Sequence, residues 1–202
     1  MIRRPSRDIV LLQILVIFIL PVFLLYYDFV EPEARFFFLA LSALIIHSII
    51  RREAWNYHEL GLRVDNITSA LPYYTAVVVV SIAILFLLEN VLQINQVNTQ
   101  HILLQRLFLF IPMSVAQEFA FSVFLLKRLQ VLFGHRFLII FINATVFTFI
   151  HIIYDLPPPA AVFLFVGSIV ASLVYVYKPN FLLASIAHSF INITAVLLGF
   201  FV

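Results

Sequence analysis

Apolar runs dominate the chain, and short clusters of charge interrupt them. Seven runs are candidates to cross a bilayer: Ile9–Tyr27, Phe36–Ile50, Ala70–Leu88, Leu107–Leu126, Phe137–Tyr154, Ala160–Tyr177 and Phe181–Val202. A helix needs roughly 17–25 apolar residues to cover about 30 Å of hydrocarbon, and six of the runs are that long. Phe36–Ile50 is the exception, at about 22 Å of helix, with Arg35 and Arg51 bracketing it and able to snorkel to the interfaces. The pattern predicts an all-α fold: a polytopic helical membrane protein with about seven transmembrane helices. Residues 1–202 read as one integral membrane domain, with N-terminal helices over 1–106 and a core rich in polar motifs over 107–202.

Charge sharpens that count. With the N-terminus in the cytoplasm, seven crossings place ten of the twelve basic residues inside and leave only Arg35 and Arg106 outside, as the positive-inside rule asks. Dropping the short second span would destroy the bias, so the expected topology is N-in and C-out. Composition then excludes a soluble domain: 64% of residues are hydrophobic and 11% charged, against about 45–50% and about 25% in ordinary globular proteins. There is no cysteine, so a disulfide scaffold and a thiol nucleophile are excluded together. The first span is too long for a signal-peptide core and reads as a retained anchor. Asn66-Ile-Thr68 matches a glycosylation sequon on the expected cytoplasmic side and carries no weight.

Polar residues inside the spans hold the chemical information, because an ionised group at the bilayer centre costs roughly 2.5–3.5 kcal/mol on insertion scales. Glu118 is the one acid well inside a span. Ser114, Glu118 and Ser122 follow a four-residue step and form a stripe on one helix face, with Gln117 about a quarter-turn away. The fifth span carries Asn143, Phe147 and His151 at the same step. The seventh carries Ser185, His188, Ser189 and Asn192. These three polar faces should converge on an internal cavity. His47, His58, His101 and His135 read as interfacial or packing residues, and Gly167, Ser168, Ala171 and Ser172 as small residues that allow close helix approach. By helix rise, His151 lies about 21 Å from the cytoplasmic end of its span, against about 10–13 Å for Glu118 and His188, so the fifth helix must tilt for the three to meet.

A glutamate, two histidines and an asparagine suit amide hydrolysis. A carboxylate with a histidine takes a proton from attacking water, while a second histidine and an amide hydrogen-bond the developing oxyanion. No serine sits beside a histidine in a nucleophile elbow, so covalent catalysis has no support. Zinc held by Glu118, His151 and His188 is conceivable by ligand type, but no His-Glu-x-x-His is present; no metal and no cofactor are expected.

Gln117-Glu118-Phe-Ala-Phe-Ser122, Phe147-Thr-Phe-Ile-His151 and His188-Ser-Phe-Ile-Asn192 together resemble the three motifs of the CAAX protease and bacteriocin-processing (CPBP) family of glutamic intramembrane endopeptidases. Those motifs are Glu-Glu-x-x-x-Arg, Phe-x-x-x-His and His-x-x-x-Asn, and their order and helix placement agree. His58-Glu-Leu-Gly-Leu-Arg63 is similar to the loop that often precedes the family's core. The resemblance implies that glutamate and His151 activate water while His188 and Asn192 hold the oxyanion. It further implies a membrane-anchored peptide or protein substrate, the lipid bilayer as the other partner, no nucleic acid, and a multi-pass place in a prokaryotic plasma (inner) membrane. The chain departs from the pattern at Gln117, where the family has its principal catalytic carboxylate, at Ser122 in place of arginine, and at Val123 in place of the common glycine. Glu118 must therefore serve as the base, or the site is inert. The catalytic set expected is Glu118, His151, His188 and Asn192. Competing expectations are an inactive relative acting as a membrane binding or immunity protein, and a proton-coupled transporter using the same ionisable groups as a relay. The small size and the lack of a repeated half weigh against the transporter.

Overall fold

The computed structural model describes residues 5–31, 33–92, 104–154 and 156–200. The expectation for His101 and the last two residues of the Phe181–Val202 run fall outside that set. The secondary structure of the described residues is all helix, without strands. Six helices are long and apolar enough to span a membrane: α1 (Arg7–Tyr26), α2 (Ala34–Arg52), α3 (Ile67–Leu92), α4 (Leu107–Leu132), α5 (Arg136–Tyr154) and α6 (Pro158–Tyr177). The seventh, α7 (Phe181–Leu197), is shorter. The second span, thin by sequence, is 19 residues long because the helix takes in Ala34, Arg35, Arg51 and Arg52. Large apolar side chains such as Val79, Leu87, Phe108, Phe137 and Val162 face outward, which suits a lipid surround and no aqueous one.

α4 is the central helix: 56% of its apolar window is buried, against 11% for α3. It packs on α7 and is flanked by α1 and α2, while α5 pairs with α6, and α3 lies against α6 and α7. Phe18, Ile46, Phe121, Phe124, Leu125, Ile139 and Ala184 gather around it in one apolar core. Two helices widen into a π turn. In α1 the turn Leu15–Ile19 comes just before Pro21, whose ring and missing N–H cannot fit a regular α ladder. In α4 the π turn Phe119–Leu125 begins immediately after Glu118 and lies almost wholly in the core, with no proline to account for it. α5 tightens instead, ending in a 3₁₀ turn at Ile150–Tyr154 that carries His151. Pro157 and Pro158 then start α6, with Pro158 as its first residue, a position that tolerates proline because its N–H would have no helical partner.

The loop between α2 and α3 is folded back on the start of α7. Asn56 and Glu59 cap each other, main-chain N–H to side-chain oxygen in both directions, as in a capping box. The Asn180 side chain, with no exposed surface, donates to the Arg63 carbonyl at 2.9 Å and to Asn66 Oδ1 at 2.8 Å. Its oxygen accepts the Leu183 N–H at 3.0 Å and so caps α7. Asn66 donates in turn to the Pro179 carbonyl, so the sequon asparagine is committed to an internal bond. Beyond it, Arg63 donates twice to Asp65 and holds that exposed carboxyl below its ordinary value.

Gly61 makes this docking possible. Its φ is +69°, and a Cβ there would run into Tyr175 Oη and approach Phe181 N. Left-handed backbone costs an L-residue about 1–2 kcal/mol before any clash. Gly61→Ala is therefore expected to lower stability by about 2 kcal/mol, or roughly 4–8 °C in Tm for a chain of this length. A thermal scan in detergent checks it, and an unchanged Tm would show that the loop does not brace α7.

Candidate active site

Glu118 ends the regular part of α4, and both of its carboxylate oxygens are engaged. Oε1 lies 2.7 Å from His188 Nδ1 of α7, and Oε2 accepts the Ser122 hydroxyl from the π turn. Glu118 is buried and His188 nearly so. A carboxylate only accepts when ionised, so Nδ1 of His188 carries the hydrogen in that bond and Nε2 is left as the basic nitrogen. The Ser114–Glu118–Ser122 stripe thus survives, with Ser114 Oγ bonded to the Phe110 carbonyl at 2.7 Å on its own helix.

A cavity of about 100 Å³ opens beside this pair, lined by Glu118, Ser122, His188 and Asn192 with Asn143 and Gly167. Asn143 donates to Ser172 Oγ across α5 and α6 at 2.9 Å. The small residues of α6 correct the sequence reading in part. Ser172 does join two helices, but Gly167, Ser168 and Ala171 form the cavity wall. A Cβ on Gly167 would meet nothing within 4 Å, which is space left open, with no close packing to require a glycine.

Gln117 looks the other way, because neighbouring helix residues point about 100° apart. It borders two adjoining cavities of about 30 and 100 Å³, in both of which Arg35, His151 and Tyr154 also appear. His151 is buried and its Nδ1 donates to the Phe147 carbonyl at 2.7 Å. The Phe147 ring stands between the two histidines, 4.8 Å from the His151 ring and 5.8 Å from that of His188. Asn192 joins the two sides: its amide donates to Ser114 Oγ at 3.0 Å and to Gln117 Oε1 at 3.3 Å, and it lines a cavity on each side.

Of the four residues singled out by sequence, Glu118 and His188 are therefore bonded to each other. Asn192 sits one helical turn beyond His188 and touches Gln117. His151 lies across Phe147, on the Gln117 side. Among the described residues, no three His, Cys, Asp or Glu side chains gather as a metal site would need. Sequence reading passed over Arg35 and Tyr154, which share the second chamber. The signal was available for Arg35, a basic residue in the first turn of a helix and one of the two that break the charge asymmetry.

Residues 99–194 match the family model described as Type II CAAX prenyl endopeptidase Rce1-like. The matched segment holds all three motif helices, so the resemblance read from the motifs stands over that part of the chain. Neither the curated proteins nor the solved structures compared with it include a match.

Proposed function

We propose that this membrane protein is an intramembrane peptidase that hydrolyses a peptide bond of a membrane-anchored peptide with water activated by the Glu118–His188 pair. The family similarity supports a CAAX-type protease. The observation that carries the assignment is the 2.7 Å bond between Glu118 Oε1 and His188 Nδ1 at the wall of a cavity that also holds Asn192. Glu118 fixes the tautomer and stabilises the imidazolium as it forms, and His188 Nε2 takes the proton from water. The water oxygen bonds to the carbonyl carbon, and His188 returns the proton to the departing amine as the C–N bond breaks. Asn192 supplies an N–H to the oxyanion in place of its long 3.3 Å bond to Gln117. His151, on the other side of Phe147, hydrogen-bonds the peptide through Nε2, since its Nδ1–H is committed to a carbonyl.

One observation favours a second reading, an inactive relative that binds its peptide without cutting it. The residue facing the His151 chamber is Gln117, which can neither take a proton nor carry charge.

Mass spectrometry of an N-acylated peptide incubated with the protein in liposomes separates the two. The peptidase reading expects two fragments from the natural chain and none from Gly167→Phe, whose side chain fills open space on the cavity wall. The inactive reading expects no fragments from the natural chain and fragments only after Gln117→Glu.

A further inference from the structure

Asn143 carries a polar atom that the fold does not use. The residue lies near the middle of α5 and is 3% exposed. Its amide nitrogen donates to Ser172 Oγ of α6 at 2.9 Å. Among the described residues, its buried oxygen Oδ1 has no hydrogen-bond donor. An amide oxygen buried without a partner is costly, and inside a bilayer no bulk water is at hand to supply one. The bond to Ser172 would tie α5 to α6 equally well from a serine, so packing alone does not account for a side chain with a second polar end.

Asn143 lines the same cavity as Glu118 and His188. At about 100 Å³, that cavity far exceeds the roughly 10–15 Å³ that one water needs. Val77, Phe163, Leu164 and Ile191 give it walls that are mostly apolar. Of the α6 serines in the wall, Ser168 already donates to the Phe165 carbonyl at 3.2 Å, and Ser172 Oγ accepts from Asn143 itself. The α5–α6 side therefore offers an acceptor that lacks a donor. Ordered water wants two to four polar partners, more than apolar walls provide, and an ammonium group at this depth is expensive. A hydroxyl on a short carbon stem meets both demands: it donates one hydrogen to Oδ1 and lays its methyl or methylene on the apolar wall.

We infer that Asn143 is a specificity-determining residue whose amide oxygen accepts the hydroxyl of a threonine or serine side chain of the peptide, bound beside the scissile bond in the cavity of Glu118 and His188. The inference rests on the peptidase reading for the kind of ligand, but its test needs no turnover. Valine has nearly the shape of threonine and would fill the same space, yet it leaves Oδ1 unpaired. A site built to bond a hydroxyl discriminates against the analogue that lacks one for that reason.

The test is equilibrium binding to full-length protein carrying Glu118→Gln, which keeps the peptides intact, in vesicles of phosphatidylcholine, a lipid without a hydroxyl to compete. The probes are N-acylated, fluorescently labelled leucine hexapeptides with threonine or valine placed at each position in turn. At one position threonine is expected to bind at least about tenfold more tightly than valine. Adding Asn143→Leu should remove that difference and leave the valine peptide bound as well as before, which the loss of a merely structural residue would not do. Ser172 can then bond back to a carbonyl of its own helix, so the variant gains no new unpaired group. Equal binding of threonine and valine at every position overturns the inference, as does no binding by any peptide, a preference that persists in Asn143→Leu, or a loss of both peptides there. O-methylation of the favoured threonine removes the donated hydrogen and keeps the oxygen, so a gain that survives it overturns the inference whether or not the variant folds. Absence of cleavage by the natural chain, by contrast, bears only on the peptidase reading.

Discussion

Glu118→Gln is expected to reduce kcat/KM for a membrane-anchored peptide by about 10²–10⁴-fold, the range over which positioned acid–base groups act. The substitution is a test of charge with little change of shape. The glutamine oxygen can still accept from His188 Nδ1, and its amide can donate to the Ser122 hydroxyl, so both existing bonds have chemically sensible replacements. What disappears is the negative charge that favours the imidazolium during proton transfer. Insertion and helix content should therefore remain those of the natural chain while cleavage falls. His188→Ala should cost a similar amount, and the double substitution little more than either alone, because residues acting as a unit are not additive. Initial rates in liposomes, with helix content checked by circular dichroism, decide it. Full activity in Glu118→Gln would remove this carboxylate from the chemistry.

The largest expected effect on stability lies at Arg128. Its side chain is 2% exposed, and its guanidinium donates to Glu53 Oε1 at 2.8 Å. It also lies over Phe124 at 4.7 Å and Trp55 at 5.3 Å. Trp55 bonds the other Glu53 oxygen at 2.9 Å. Ala54 between them takes φ 53°, a conformation unfavourable for a residue with a Cβ, and the turn it makes brings acid and indole to the same cation. Breaking a buried pair from one side costs about 3–5 kcal/mol, and the partial exposure of Glu53 argues for the lower end. Arg128→Met should thus lower Tm by roughly 6–12 °C. Adding Glu53→Gln should recover part of the loss, because no uncompensated carboxylate then remains. A shift below about 1 °C in a detergent thermal scan would mean that the pair contributes little.

How much of this was legible in the sequence depends on whether a feature is local. Hydropathy located each of the seven described helices, since lipid demands long apolar runs with internally satisfied backbones, but it ran the last one on to Val202 where the helix ends at Leu197. It shortened α2, because Arg35, Arg51 and Arg52 count against hydrophobicity although their residues are helical. The four-residue step correctly tied Ser122 to Glu118, for both lie on α4. It carried no information on which chamber each of Gln117 and Glu118 faces, which depends on the packing of α7 on one side and of α2 and the end of α5 on the other. The 3₁₀ turn under His151 was likewise invisible to an argument built on regular helix rise. Arg128 read as one more cytoplasmic charge, because its partner lies 75 residues away. The α6 stripe of small residues was seen but assigned to packing, since a wall and a contact surface favour the same small side chains.

The π turn in α4 makes that helix intolerant of one kind of change. Glu118 stands at its start and Arg128 just beyond its end, so one wide turn sets the angle between the Glu118 carboxylate and the buried cation. Deleting one residue in Phe119–Leu125 would take out the extra residue that widens the turn and leave an ordinary α-helix with its ends in nearly the same register. Inserting one there would instead rotate one end against the other by roughly 100°. Either Glu118 would lose His188 or Arg128 would lose Glu53. Point substitutions in this stretch alter packing by degrees, whereas a one-codon insertion forces a choice between the site and its support.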